Sequence, residues 1–346
     1  MRTRTRGFTL VEVMVAMAIG LVVAAVVVTM FAGSSKTYKI ADSVGELQET
    51  GRVAMDALQR DAHMVGFDGC NSHNVGGSTL FDNNLAVPTA YASSYGTAAS
   101  GFTPINGFES TGAGWNPALP AEISAPGAPV PGALPTDSDV LIMRVVAGAP
   151  LALSAAMASA AADVPLQATT GLTAGVNAII SSCFRANVFN VTAVAGLNLQ
   201  HAVGANSVAN LSGAFQENAV VMRIETHAYF VAPGIRNPAT QNSLWLRIDT
   251  QPPVEVVENV QRLIVLYGED TDAVSDFVPN SYRRANSVVN WRNVVALQVS
   301  LLLRSADDNQ YDAITNYVYD GATVVPTDRR ARRVYTATIH LRNRTL

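Results

Sequence analysis

Apolar residues fill one continuous stretch near the start of the chain. Between Val13 and Ala32 only two residues are not plainly apolar, and no charged residue follows Glu12 until Lys36. Twenty helical residues rise about 30 Å, which is the thickness of the hydrocarbon layer of a bilayer. The stretch therefore predicts a membrane-spanning helix with one carboxylate at its edge.

The helical pattern continues beyond the apolar stretch. Apolar or small residues recur every three or four positions, at Ile40, Val44, Leu47, Gly51, Ala54, Leu58, Ala62 and Val65. Charged and amide residues occupy the positions between them, which is typical of an amphipathic helix. Gly66 is a suitable C-terminal stop. We predict one helix from Phe8 to about Val65, apolar on all sides in its first half and amphipathic in its second.

Residues 71–137 have a different composition. No charged residue occurs between Asp82 and Glu109, and Ser, Gly, Ala, Asn and Pro dominate. Such a composition is typical of turns and surface loops rather than of a core. We favour a long surface loop, with a contact surface for a neighbouring protein as the alternative.

From Asp139 onward the pattern has a period of two. Alternating segments are Val140–Val146, Ala178–Cys183, Val188–Val194, Val220–Val231, Leu244–Asp249, Val295–Arg304 and Tyr335–Arg342. This alternation predicts half-buried antiparallel strands. An alanine-rich segment, Leu151–Ala162, has the composition of a short helix. The predicted fold class is α+β, a long N-terminal helical spine packed on a β-rich antiparallel head.

Charge limits the partners of the chain. The 346 residues have a formal charge of −4, which becomes −7 without residues 1–7 because three arginines lie there. A mildly acidic chain makes nucleic acid an unlikely main partner. Arginines before the span and not soon after it place the N-terminus in the cytoplasm and the head outside.

The basic leader runs directly into Gly7-Phe8-Thr9-Leu10-Val11-Glu12. This motif resembles the class III signal of type IV pilins and of type II secretion pseudopilins. The resemblance implies that a prepilin peptidase cuts between Gly7 and Phe8, that Phe8 is N-methylated, and that the apolar segment stays on the protein. An ordinary secretory signal is the alternative, but the apolar run is too long and Glu12 interrupts its start.

Further segments narrow the resemblance to PilW-type minor pilins. They are Glu46-Leu47-Gln48-Glu49, Met64-Val65-Gly66-Phe67-Asp68-Gly69-Cys70, Ser181-Ser182-Cys183, Val256-Val257-Glu258-Asn259-Val260, Leu266-Tyr267-Gly268, Ser300-Leu301-Leu302-Leu303-Arg304-Ser305 and Arg332-Arg333-Val334-Tyr335. The resemblance divides the chain into a leader (1–7), a helix (8–66) and an extracytoplasmic head (67–346) with a loop-rich insertion (71–137).

The resemblance also implies a function, partners and a location. The function is that of a minor subunit in a tip or priming complex that supports pilus assembly and twitching motility. The partners are other minor pilins, the major pilin, a pilus-tip adhesin, the inner-membrane assembly platform and the prepilin peptidase. The protein lies in the inner membrane before assembly and in the pilus afterwards. Two alternatives share the signal: a J-type pseudopilin of type II secretion, and a pilin-anchored adhesin or DNA-uptake module.

Within this family the carboxylate at the position of Glu12 pairs with the positive N-terminus of a neighbouring subunit. A charge inside the membrane costs about 2.5–3.5 kcal/mol at the centre of the bilayer, so it usually has a partner. We therefore predict that Glu12 is the main assembly residue. The alternative is a glutamate exposed to lipid headgroups.

Cysteine chemistry and metal binding give two further hypotheses. An exported location permits a disulfide, and the two cysteines of the chain, Cys70 and Cys183, allow one pairing. The alternative is two separate buried thiols. In the acidic segment 269–276, Asp270, Asp272 and Asp276 are weak calcium candidates, because the segment lacks the glycine and the bidentate glutamate of an EF-hand.

Other chemistry is not indicated. The five histidines lack metal-ligand spacing, and no G-x-S-x-G elbow, P-loop or dinucleotide fingerprint occurs. We predict no enzymatic activity and no cofactor. The C-terminal arginines form either a basic patch or, as alternating strand faces suggest, a solvated sheet edge.

Overall fold

The computed structural model describes residues 9–67, 69, 80–86 and 103–344. Its first element is α1 (Leu10–Met64), a helix of 55 residues, which confirms the predicted spine. The helix ends where Gly66 adopts a φ of +76°, a conformation that glycine reaches without steric cost. A second, short helix is α2 (Ala121–Ser124).

The rest of the described chain is rich in strands. In chain order they are β1 (Leu80–Asn83), β2 (Ile105–Ser110), β3 (Trp115–Asn116), β4 (Val140–Ala152), β5 (Val164–Pro165), β6 (Asn177–Ser181), β7 (Arg185–Asn190), β8 (Ala193–Ala195), β9 (Asn198–Gln200), β10 (Val220–Pro233), β11 (Asn242–Ile248), β12 (Val254–Glu258), β13 (Val260–Glu269), β14 (Ser281–Arg283), β15 (Val294–Arg304), β16 (Tyr317–Tyr319), β17 (Ala322–Val324) and β18 (Arg332–His340). All seven segments with period-two alternation overlap these strands, so those predictions are confirmed.

Two sheets form the body of the head. Within the described residues, the larger sheet has the order β1-β7-β6-β10-β4-β2-β3, and β11 and β12 extend it from β10. The first half of β10 pairs with β6 and its second half with β11, while β4 pairs along most of its length. The smaller sheet has the order β14-β13-β15-β18 and is antiparallel throughout.

A buried carboxylate joins the two sheets. Asp139, just before β4, accepts a hydrogen bond from the Ser110 N–H in the larger sheet at 2.9 Å. Its other oxygen accepts one from the Val265 N–H in the smaller sheet at 3.0 Å. Burial raises the pKa of Asp139, and these two backbone donors oppose that rise. The carboxylate therefore fixes the relative position of β2 and β13.

The largest apolar core lies between α1 and the sheets. Leu47, Ala54 and Leu58 of the helix are fully or almost fully buried, in one cluster with Met143 of β4 and Leu301 of β15. The predicted apolar stripe of the second helical half is thus the face that packs on the head. Burial of apolar surface at about 25 cal/mol per Å² makes this face the main attachment of helix to head.

Two predictions from composition were wrong. Residues 105–110, inside the predicted loop-rich insertion, form β2, which pairs with β4, and Phe108 is buried. Leu151–Ala162 contains no helix, because β4 continues to Ala152 and bends and turns follow. Leu153 and Met157 are buried in a second core with β6 and β7, so tertiary burial overrides the helical preference of alanine.

Gly51 allows a close approach between helix and sheet. A Cβ at Gly51 would lie 2.4 Å from the ring of Tyr335 in β18, whereas a Cβ at the exposed helical Gly45 would meet no atom within 4 Å. We expect Gly51→Leu to lower the free energy of unfolding by about 1–3 kcal/mol through overpacking. Gly45→Leu is the matched control, and we expect it to raise stability by about 0.5–1 kcal/mol through helix propensity. Thermal denaturation of the full chain in detergent measures both, and equal effects at the two positions would contradict the close packing.

Candidate assembly site

The N-terminal end of α1 carries the candidate assembly residues. Gly7 and Phe8 lie outside the described residues, which begin at Thr9. The Thr9 N–H and its hydroxyl both donate to Oε2 of Glu12 at 3.0 Å. In return, the Glu12 N–H donates to the Thr9 hydroxyl at 3.3 Å. The two side chains form a capping box that satisfies donors at the start of the helix.

The first half of α1 is exposed on all sides. Leu10 and Phe31, near its two ends, are 78% and 77% exposed, and the apolar residues between them are exposed as well. By its length and composition, α1 could cross a membrane. An apolar surface of this size requires lipid or other helices around it.

Charged side chains return where the helix leaves the apolar segment. Lys36 forms an ion pair with Asp312, which lies between β15 and β16. Lys36, Lys39, Asp307 and Asp308 line a cavity of about 330 Å³ between the helix and this loop. Lys36 lies about 6 Å beyond Ala32 along the helix axis at 1.5 Å per residue, so we expect this contact to lie near the lipid headgroups.

A polar network connects the C-terminal part of α1 to the head. The Asp61 carboxylate of α1 accepts hydrogen bonds from Nδ1 of His227 and from the Tyr229 hydroxyl, both at 2.6 Å. Nε2 of His227 lies 3.2 Å from Glu225, and Glu225 contacts Arg223 at 3.1 Å. Because these residues are largely buried, the network holds α1 against β10 in one register.

The charges of this network shift the pKa values of its members. Burial lowers the pKa of His227, but the hydrogen bonds to Asp61 and Glu225 outweigh burial and raise it from 6.5 to about 9. The hydrogen bond from His227 lowers the pKa of Glu225. Burial raises the pKa of Tyr229, so its hydroxyl keeps the proton that it donates to Asp61. At neutral pH the imidazole is therefore charged and binds two carboxylates.

Stability should fall on the alkaline side because of His227. Its pKa is higher in the folded chain than in the unfolded chain, so its contribution is complete below pH 6.5 and is lost as the pH rises through about 9. The loss is at most about 3 kcal/mol. We expect the melting temperature to decrease between pH 6.5 and 9, and His227→Gln to remove most of that slope. An unchanged slope in the variant would contradict the assignment.

One of the two cysteines lies among the residues that the structure describes. Cys183 lies in the turn between β6 and β7, where the Ser182 N–H donates to the Arg185 carbonyl at 2.8 Å. Cys70 lies outside the described residues. The preceding residue, Gly69, lies close to that turn, since a Cβ on it would be 3.1 Å from Oγ of Ser181. Gly69 therefore lies near the turn that contains Cys183, and the Cys70–Cys183 disulfide stays a prediction.

The predicted Cys70–Cys183 bond would close a loop of 112 intervening residues. The chain-entropy model gives about 4–5 kcal/mol of stabilisation for so long a loop, before any native strain is subtracted. We expect Cys70→Ser to lower the melting temperature as much as Cys183→Ser, and the double variant to add nothing further. Non-reducing peptide mass spectrometry checks the bond, and two alkylatable thiols in the native protein would refute it.

The structure brings the three calcium candidates together. Carboxylate oxygens of Asp270, Asp272 and Asp276 lie within 4.8 Å of one another, with Asp270 buried and the other two exposed. Donors from the same loop already bind Asp270, including the Asp272 N–H at 3.1 Å and the Phe277 N–H at 3.0 Å. These bonds account for the shape of the loop, and calcium binding stays an untested prediction.

The C-terminal arginines do not form one continuous basic patch. Arg332 binds both oxygens of Asp328, at 2.6 and 2.8 Å, and Arg330 donates to backbone carbonyls. Arg344 is fully buried, and burial lowers its pKa to about 9. This arrangement does not favour the phosphate contacts that nucleic-acid binding requires.

Comparison with known families agrees with this organisation. Residues 228–343 match the model of the type IV pilus assembly protein W family, and residues 2–28 match the prokaryotic N-terminal methylation motif. The chain is therefore similar to type IV pilus assembly proteins in its C-terminal third and to prepilin-like proteins at its N-terminus. The first match runs from β10 to the end of the smaller sheet, and the second covers the signal and the first part of α1.

A curated protein is similar to part of the chain. Over 69 residues the chain is 46% identical to the pilin-like protein PilA3 of Thermus thermophilus. The aligned stretch covers 20% of this chain and 30% of the length of PilA3. No solved structure matches the chain significantly. The motif and the exposed apolar helix support anchoring of the protein in the inner membrane. The family is a structural pilus component rather than an enzyme family.

Two functional features were missed from the sequence. Thr9 and Glu12 have the T-x-x-E spacing of a capping box, which was sufficient to predict their contact. The Asp61–His227 contact joins residues 166 positions apart, and no local signal in the sequence identifies it.

Proposed function

We propose that this chain is a minor subunit of a type IV pilus that enters a tip or priming complex through α1. The observation that supports this most strongly is the division of the helix into two halves. Leu10 to Phe31 expose their apolar side chains, whereas Leu47, Ala54 and Leu58 bury theirs in the head. The first half is free to join a bundle of similar helices while the second half holds the head in place.

The partners follow from this role. Other minor pilins and the major pilin would contact the exposed helical half, and the prepilin peptidase would act between Gly7 and Phe8. The assembly platform of the inner membrane would extract the subunit, and a tip adhesin would contact the head. We infer no enzymatic activity, because the role requires only binding and correct register.

A clean deletion strain tests the proposal. We expect few or no surface pili and loss of twitching, with type II protein secretion unchanged, and recovery on complementation with the wild-type chain. Intact pili with lost secretion would instead identify a J-type pseudopilin. Normal pili, twitching and secretion with lost adhesion or DNA uptake would identify the surface-module alternative.

A further inference from the structure

Strand β18 is a long edge strand with an unpaired side. It has nine residues, and its register with β15 is unbroken from Ala296↔His340 to Arg304↔Arg332. The other sheet edges in the described part of the chain are shorter or irregular: β3 has two residues, β14 three and β1 four, and β12 has five with a register shift against β11. Natural proteins usually shorten, bend or cover such an edge.

The hydrogen-bond phase shows which groups of β18 point outward. The Ser305 N–H donates to the Ala331 carbonyl at 2.8 Å, and the Leu341 N–H donates to the Val295 carbonyl at 2.9 Å. Because antiparallel pairs alternate, the odd-numbered residues of the strand bond to β15 and the even-numbered residues 332–340 direct N–H and C=O away from it. No strand in the described residues pairs with these outward groups.

The two faces of β18 differ in their exposure to solvent. On one face Ile339 is 3% exposed and Tyr335 lies against Gly51 of α1, so the helix fixes the strand from that side. On the other face Val334 is 37% exposed, and Thr336 and Thr338 are exposed as well. The strand is therefore held rigidly while its edge and outer face stay accessible.

Charge indicates the kind of segment that fits this edge. The segment from Arg329 to Leu346 contains no acidic residue, and of its six arginines Arg329, Arg333 and Arg342 are exposed, whereas Arg344 is buried. Asp328 neutralises Arg332, whereas the guanidinium of Arg333 lies 5.5 Å from the ring of Tyr335 and forms no ion pair within the described residues. Pairing with β18 of a second copy would bring like charges together, which is destabilising. An acidic segment is the complementary occupant.

We propose that the free edge of β18 accepts an extended, acidic segment of another pilus subunit as an added β-strand. The proposal rests on the proposed function, since it takes the neighbour from the same assembly. Main-chain hydrogen bonds to the outward groups would supply affinity, and the basic flanks would select acidic side chains. The head would then contribute a specific contact in addition to the contacts of α1.

Site-specific photo-cross-linking tests this contact in piliated cells. A benzoylphenylalanine replaces Val334 in the full-length chain, and the same residue replaces Leu197, which is 51% exposed between β8 and β9, as the control. We expect irradiation to join position 334, but not 197, to an acidic segment of a different pilin subunit, identified by peptide mass spectrometry. Cross-links only to this chain's residues 70–102, only to a second copy, or to nothing would each overturn the proposal.

A proline variant then tests the backbone hydrogen bonds. Thr338→Pro removes an outward N–H, whereas Ala337→Pro removes one that bonds to β15. We expect Thr338→Pro to keep a melting temperature near that of the wild type and to lower the cross-link yield from position 334 about five-fold, equivalent to about 1 kcal/mol. Ala337→Pro should destabilise the head itself. Unchanged yield in folded Thr338→Pro would exclude strand addition.

The two proposals fail in different ways. Absence of the wild-type chain from sheared pili and from minor-pilin complexes would refute the proposed function. Presence of the chain there, together with no intersubunit cross-link at position 334, would refute strand addition alone.

Discussion

Gly7→Arg is expected to leave the full-length precursor in the inner membrane, with no processed protein and no incorporation into pili. Residues 2–28 match the N-terminal methylation motif, and Gly7 precedes the predicted scissile bond. Glycine has no side chain, so it allows a close approach of the backbone that a protein-cleaving site requires. Arginine at this position would add a long charged side chain at the point of cleavage.

N-terminal sequencing and intact mass measure the outcome directly. The matched control is Thr3→Arg, which adds the same charge to the leader at a distance from the predicted cleavage site. We expect the control to be processed, with N-methylated Phe8 as its first residue. Detection of Phe8 as the first residue of Gly7→Arg would refute the class III signal.

The spine was predictable because its pattern is local. Apolar residues without interruption from Val13 to Ala32, and then at spacings of three and four, required a helix whose environment changes along its length. The structure places the boundary where the pattern places it: Phe31 is 77% exposed and Leu47 is 2% exposed. Local periodicity thus determined both the element and its two environments.

The head was predictable only in part, because composition does not report tertiary burial. Segment 105–110 contains Gly, Ser and Asn, yet it pairs with β4 in the larger sheet. Gly107 lies where a Cβ would overlap the hydroxyl of Tyr267, so a residue typical of loops is here required for packing. Such a contact between β2 and β13 depends on residues about 160 positions apart, and no window of the sequence contains both.

The candidate site also has some features that follow from local sequence and others that depend on tertiary contacts. The cleavage motif and Glu12 are adjacent in sequence and were identified from it. The Thr9–Glu12 spacing that the capping box uses is equally local, but it was missed. The network of Asp61, His227 and Tyr229 joins the end of α1 to β10 and needed coordinates. A pair of carboxylates around a histidine is recognisable only when the fold has brought the three together.

Glu12→Ala is expected to give a cleaved, anchored and folded protein that fails in assembly. The head packs on the second half of α1, beginning at Leu47, so its stability should not change. Removal of a charge also makes the span more apolar. What the variant loses is the charge that would pair with the N-terminus of a neighbouring subunit, and an unpaired buried charge costs about 3–5 kcal/mol. Sheared pili should be few, at normal levels of this protein in the inner membrane.

The structure adds a second role for Glu12 that must be separated from the first. Its carboxylate accepts hydrogen bonds from the N–H and hydroxyl of Thr9, and Glu12→Ala removes this half of the capping box. Glutamine also serves in a capping box, so Glu12→Gln keeps the cap and removes only the charge. We expect Glu12→Gln to be as defective as Glu12→Ala in sheared-pilus yield and in cross-linking to other minor pilins, both measured in the deletion strain. Recovery of pili by Glu12→Gln would assign the residue to the cap, and wild-type yields from both variants would leave assembly to the head, where β18 offers the free edge.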